Sequence, residues 1–163
     1  MTGRTAWTAG NGQGLAWGTL INSVDLASMA NAKTVLSSVA DIANGTNLDM
    51  WMDVSVRCAI ASNTIAAGAN LALWLYALLD DGSTYGDGQF TAGTPATLTP
   101  TFSPVAVFPL VAAASQTTLV GFAQGILLPP GSFRAALQNN SGFSFTSGTQ
   151  TVKYRTYNIN LNS

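Results

Sequence analysis

Catalytic chemistry draws mostly on histidine, cysteine and acidic side chains, and this 163-residue chain holds few of them: no histidine, no glutamate, seven aspartates and one cysteine. Without histidine there is no Ser–His or Cys–His pair to activate a nucleophile, and no imidazole to hold a metal. Without glutamate, paired-carboxylate chemistry would have to use two of the aspartates. Asp49 and Asp53 share one parity of an alternating stretch, and a rise of about 3.3 Å per residue sets them roughly 13 Å apart. That exceeds either glycosidase spacing, and Arg57 follows at the same parity, so the three read as a surface charge row. Asp80, Asp81 and Asp87 in DDGSTYGDG suggest a calcium loop. Their spacing is irregular and the closing bidentate glutamate is missing, which favours a turn. Cys58 can form neither an intrachain disulfide nor a thiolate zinc cage, and its place in an apolar row makes it a small buried hydrophobe. Gly10-Asn11-Gly12-Gln13-Gly14 has neither the preceding strand nor the following Lys-Ser/Thr of a phosphate loop, and reads as a flexible segment. The expectation is a non-enzyme with no catalytic residue, no cofactor and no metal.

Composition points to what it does instead. Hydrophobic residues make up 47% of the chain and charged residues 8%, against about a quarter charged in ordinary domains. A disordered chain shows the opposite bias, so this one folds, and its length suits a single domain. So few charges leave the surface to Ser, Thr, Asn, Gly and Ala, which is easily buried against other subunits. Arg4, Lys33, Arg57, Arg134, Lys153 and Arg155 are scattered and the net charge is −1, so nucleic acid is not an expected partner. Residues 1–14 lack the apolar segment of a signal peptide. The most apolar stretch, residues 65–79, is shorter than the ~20 residues of a spanning helix. A soluble protein made in a cytoplasm, with no membrane partner, is expected.

The elements that must position any surface are strands. Residues 1–18 form a Gly-, Thr- and Asn-rich arm carrying Trp7 and Trp17, either an interaction element or a lid folded back on the core. Residues 26–39 have helix formers, but residues 34–42 equally suit a strand, and a strand over 33–42 is favoured. From Leu48 to Ile60 apolar residues alternate strictly with Asp49, Trp51, Asp53, Ser55, Arg57 and Ala59, which predicts a strand with one buried face. In residues 71–79 both parities are apolar. Leu71, Leu73 and Leu75 would line the core, with Trp74 and Tyr76 on the opposite face under a loop or a neighbouring subunit. Residues 80–104 make a long Gly-, Thr- and Pro-rich loop of the kind usually functional or covered by a partner. Strands are predicted over 105–111, 117–128, 133–139, 143–145 and 149–161, the last with Val152 and Tyr154 inward and Lys153 and Arg155 outward. Seven or eight strands with long unequal loops predict an all-β, jelly-roll-like antiparallel sandwich: a residue 1–18 arm and one domain over 19–163.

Four segments, in order, carry a resemblance. They are DGSTYGDG at residues 81–88, LPPGSFRAAL at 128–137, NNSGFSF at 139–145 and VKYRTYN at 152–158. Together they resemble a family of tailed-bacteriophage jelly-roll proteins, the virion structural or head decoration (cement) proteins. The match runs from about residue 48 to the C-terminus, and residues 1–44 fit it less well. The resemblance implies a capsid-surface protein of the virion, made in the host bacterial cytoplasm. Its expected partners are the major capsid protein and copies of itself, often as a homotrimer. Trp7, Trp17, Trp74 and Tyr76 are the candidate interaction residues. The alternative is a tail- or fibre-associated jelly roll binding host surface glycan, with Trp51, Trp74 or Tyr85 stacking on sugar rings.

Overall fold

A computed structural model describes residues 4–9, 16–46, 48–87, 91–97 and 100–162, with residues 4–9 and 160–162 described through their backbone. Its strands are β1 (Arg4–Ala9), β2 (Gly18–Ile21), β3 (Lys33–Leu36), β4 (Ile42–Ala43), β5 (Trp51–Asn63), β6 (Asn70–Ala77), β7 (Ala106–Pro109), β8 (Gln116–Leu127), β9 (Ser132–Asn140) and β10 (Thr151–Asn162). A single helical turn, α1 (Ser23–Leu26), follows β2. The chain winds as one long hairpin folded on itself. β2 pairs with β10, β3 and β4 with β9, β5 with β8, and β6 with β7, each pair antiparallel. Wrapping that hairpin yields two sheets: sheet A in the order β1-β10-β5-β8 with β2 also on β10, and sheet B in the order β3-β9-β6-β7 with β4 also on β9. This is jelly-roll wiring, two Greek keys in a sandwich. It exceeds the expected seven or eight strands because two positions are split, β1 and β2 sharing β10 and β3 and β4 sharing β9.

The core lies between the sheets and follows the period of two. Met52, Val54, Val56, Cys58 and Ile60 of β5 are buried, facing Leu71, Leu73 and Leu75 of β6 and Phe133, Ala135 and Leu137 of β9. Val152 adds the inward row of β10, with Tyr154 packed against it. Buried polar groups are satisfied largely by amides rather than charges. Asn44 bonds Asp49 N and O and the Pro129 carbonyl. Asn139 donates to the carbonyls of Met29 and Phe143, and Gln150 spans the Ala59 amide and the 146–148 turn. Among the described residues no buried side-chain polar atom lacks a partner, as a chain so poor in charge requires.

Several expectations change. Residues 4–9, read as part of a loop or extended arm, form β1 and pair with the end of β10 from Ala9↔Tyr157 to Arg4↔Asn162. The strand expected over 33–42 breaks after Leu36, because Ser38 turns aside to bond Asp25 through its N–H and hydroxyl at 2.7 and 2.8 Å. β5 begins at Trp51 rather than Leu48. Leu48 sits at φ 47° and Asn44 captures both backbone groups of Asp49, so Leu48 and Met50 are exposed instead of buried. Residues 143–145 make one isolated bridge, Phe145 to Ile60, not a strand. In β8 the inward parity switches from Leu119 to Ile126 across a bulge at Gly125, φ 65°, the backbone form glycine supplies.

Candidate interaction surface

Each sheet has an outer face, and the two are treated differently. On sheet B the described parts of the β6–β7 connection lie over the outward side chains of β6. The Trp74 indole donates to the Phe102 carbonyl at 2.9 Å, and the Tyr76 ring meets Phe102 edge-on with centroids 4.9 Å apart. The Tyr76 hydroxyl donates to Asp87 at 3.2 Å, and Asp87 also accepts from the amide and hydroxyl of Thr101. Those Thr101 bonds hold the Asp87 carboxyl below its ordinary range, whereas burial, reinforced by the Asp87 charge, pushes the Tyr76 hydroxyl up. Further along, Arg134 pairs with Asp41 at 2.6 Å and lies 5.0 Å over the Tyr85 ring, whose hydroxyl donates to the same carboxylate. Burial, then the Asp41 bond, pushes that hydroxyl up to about 12. Backbone bonds from Gly93 to Leu36 and a bridge between Ala96 and Thr34 complete the attachment. Trp74 and Tyr76 are thus buried anchors for the chain's own loop, one of the two covers the sequence allowed. Trp74 is buried, and one face of the Tyr85 ring is taken by the Arg134 guanidinium. Asp81 closes the turn by accepting from the Ser83 and Thr84 amides and the Thr84 hydroxyl, the Thr84 hydroxyl leading in holding it down to about 2.

On sheet A no loop among the described residues covers the outer face, and a charged knot lies at its centre. Asp53 faces outward as its parity requires, yet it is buried, not part of an exposed charge row. One oxygen accepts from Arg155 Nε and Nη2 at 3.0 and 2.8 Å; the other accepts from the Tyr157 hydroxyl at 3.1 Å and the Gly125 amide at 3.2 Å. The β8 bulge opposite Asp53 brings that amide within reach. Asp49 is buried too, bonded by Asn158 at 3.2 Å. Burial, then the Asp53 bond, raises the Tyr157 hydroxyl above its ordinary pKa.

Trp17 lies over this knot. Its ring sits 5.0 Å from the Arg155 guanidinium and 6.1 Å from the Phe122 ring, edge to face. Small Ser55 lies between Lys153 and Phe122 in the ladder, which leaves room for the indole to cross the sheet. From Trp17 an apolar surface continues along β8, with Val120 64%, Phe122 51% and Leu127 63% exposed, and Ile159 exposed on β10. Trp7 is opposite Ile159 in the ladder; its side chain lies outside the described residues, as do Gly10 to Gly14. Of the four candidate residues, Trp17 alone is shown on an open surface. Sequence reading missed Phe122, Val120 and Leu127; the uncharged length of β8 was the available signal.

Among the described residues no group of three or more Cys or Asp side chains is placed to hold a metal. Cys58 is fully buried, and burial pushes its thiol up to about 12. Two clefts lined by described residues measure about 150 Å³ beside Leu48 and Leu127 and about 130 Å³ beside Leu110 and Val120. No helix among the described residues is long and apolar enough to cross a membrane. No family model, curated protein or solved structure matches the chain. The class of protein on view is that of its fold: a jelly-roll sandwich whose β6–β7 connection lies over β6 on one sheet, with no such cover on the other among the described residues.

Proposed function

We propose that this chain is a non-enzymatic structural protein of a bacteriophage particle, a capsid decoration or cement protein that binds the major capsid shell through the open face of sheet A. The observation that carries the reading is the contrast between the two outer faces. One is covered over β6 by the β6–β7 connection, with Val107 of β7 left exposed, while the other displays Trp17, Val120, Phe122 and Leu127 in a chain only 8% charged. Exposed apolar surface of this kind, here flanked by Arg57 opposite Val120 and by Lys153 beside Ser55, suits burial against another protein. Jelly rolls serve viral capsids as well as lectins, and the ordered turn motifs from DGSTYGDG to VKYRTYN favour the viral use. Trp17 and Phe122 would act as the aromatic anchors, with Arg155 and Asp53 holding Trp17 in place.

The test is co-sedimentation of purified protein with expanded phage heads that lack it. Binding is expected, and Phe122→Ser should weaken it at least tenfold while Val24→Ser, on exposed α1, leaves it unchanged. Wild-type protein that stays in the supernatant would end the reading.

A further inference from the structure

Every sheet has edges, and three of the four here are protected. β7 is four residues long and ends at Pro109. β3 is bridged along its outer side by Ala96 through Thr34, and β4 is two residues long. The β1/β2 edge is interrupted between Ala9 and Gly18. Short strands, prolines, breaks and covering loops are the usual devices by which proteins blunt an edge.

β8 has none of these four, and its one blunting device is the bulge at Gly125. It runs twelve residues, QTTLVGFAQGIL, without a charge or a proline, and among the described residues it ends the strand order of sheet A, paired on one side only by β5. Its ladder with β5 shifts register at Gly125 and again between Thr118 and Gln116, so residues 118–123 form the unbroken extended segment. Unpaired backbone donors and acceptors along such a segment match another extended strand and little else.

We propose that the occupant is β8 of a second copy, joined antiparallel about a two-fold axis perpendicular to sheet A. Three features on the molecule favour a second copy over a foreign strand. The edge carries no charge, so two identical edges meet without the like-charge repulsion that a basic or acidic strand would suffer. An isologous contact needs one surface that complements itself, and an antiparallel pairing of one strand with its own image meets that condition. The two-fold also keeps outer face with outer face, so Val120 and Phe122 of each copy come beside those of the other. The two open apolar surfaces then merge into one continuous face. The pairing is two-fold, in contrast to the trimer that the family resemblance implies, and it stands apart from the capsid reading because it concerns the purified chain alone.

Two measurements test it together. Light-scattering mass against concentration should show a dimer whose dissociation constant rises at least tenfold in Val120→Lys/Gln124→Lys, with unchanged circular dichroism, and stays unchanged in Val24→Lys. Hydrogen exchange should show concentration-dependent protection of amides in β8. A chain that remains monomeric, an odd-numbered assembly, a dimer indifferent to the lysine pair, or a dimer that leaves β8 amides unprotected overturns the proposal.

Discussion

Gly121 is where the two sheets come closest at the β7–β8 side of the sandwich, and replacing it with alanine should cost more than a surface strand position normally does. A Cβ added there would lie 2.6, 2.7 and 2.8 Å from Cδ1, Cβ and Cγ of Phe108. Ordinary carbon–carbon contact is ~3.5 Å or more, so about 1 Å of relief is required. The near atoms include Phe108 Cβ, which follows the backbone, so ring rotation alone does not clear the clash. β7 cannot retreat freely either, because Phe108 pairs with Leu71 and the ladder continues from Ala106 to Pro109. Overpacking of this kind costs ~1–3 kcal/mol, and the need to move backbone places the expected value at about 2 to 3 kcal/mol. For a chain of this size that corresponds to a fall of roughly 4–10 °C in thermal midpoint. Urea unfolding should show a lower midpoint at unchanged m-value. Phe108→Leu removes ring atoms, so in a double-mutant cycle it should lessen the Gly121→Ala penalty by about 1 kcal/mol or more. A Gly121→Ala protein within about 0.5 kcal/mol of wild type, a change ordinary at the surface, would refute the packing argument.

The remaining two expectations concern buried polar chemistry. Arg155→Met leaves Asp53 buried beneath Trp17 with only the Tyr157 hydroxyl and Gly125 amide. Breaking a buried pair costs ~3–5 kcal/mol, and partial exposure of Arg155 reduces the expected loss to about 2 kcal/mol. Urea unfolding followed by tryptophan fluorescence checks it, and a loss below about 0.5 kcal/mol would contradict the assigned role. Cys58, fully buried with its thiol pushed up to about 12, should not react with a thiol-specific disulfide reagent at pH 8 until the protein unfolds. Its pKa is higher folded than unfolded, so the associated stability is complete below about 9 and declines as pH rises toward 12. Stoichiometric labelling of the native protein, or flat stability across pH 9–11, would exclude this.

How far the residues alone reached varies along the chain, for physical reasons. The row from Met52 to Ile60 was legible because side chains on a strand alternate whatever packs against them. The two-sided apolarity of β6 was equally plain, and it implied a cover. Leu48 and Met50 continued the same alternation yet fell outside β5, because an asparagine four to five residues earlier captured the backbone of Asp49. The bulge at Gly125 was hidden for a related reason: glycine in a strand pattern marks a possible bulge, but the partner strand decides whether one forms. Segment 4–9 shows no periodicity of its own and becomes a strand because the end of β10 offers it a ladder.

Asp53 marks the boundary most clearly. Its outward direction follows from parity alone, and so did the reading of a solvated charge. Its burial depends on Arg155 and Tyr157, over a hundred positions away, and on Trp17 across β10. What the residues determined unaided was an all-β chain, its main strands, the inward rows of β5, β6 and β10 and the scarcity of reactive groups, since these follow from local geometry and composition. Which outer face is sealed and which is left open was decided by the tertiary structure alone. A period of two separates the sides of a strand but carries no record of what will lie against each, and that is settled only when distant segments are brought together.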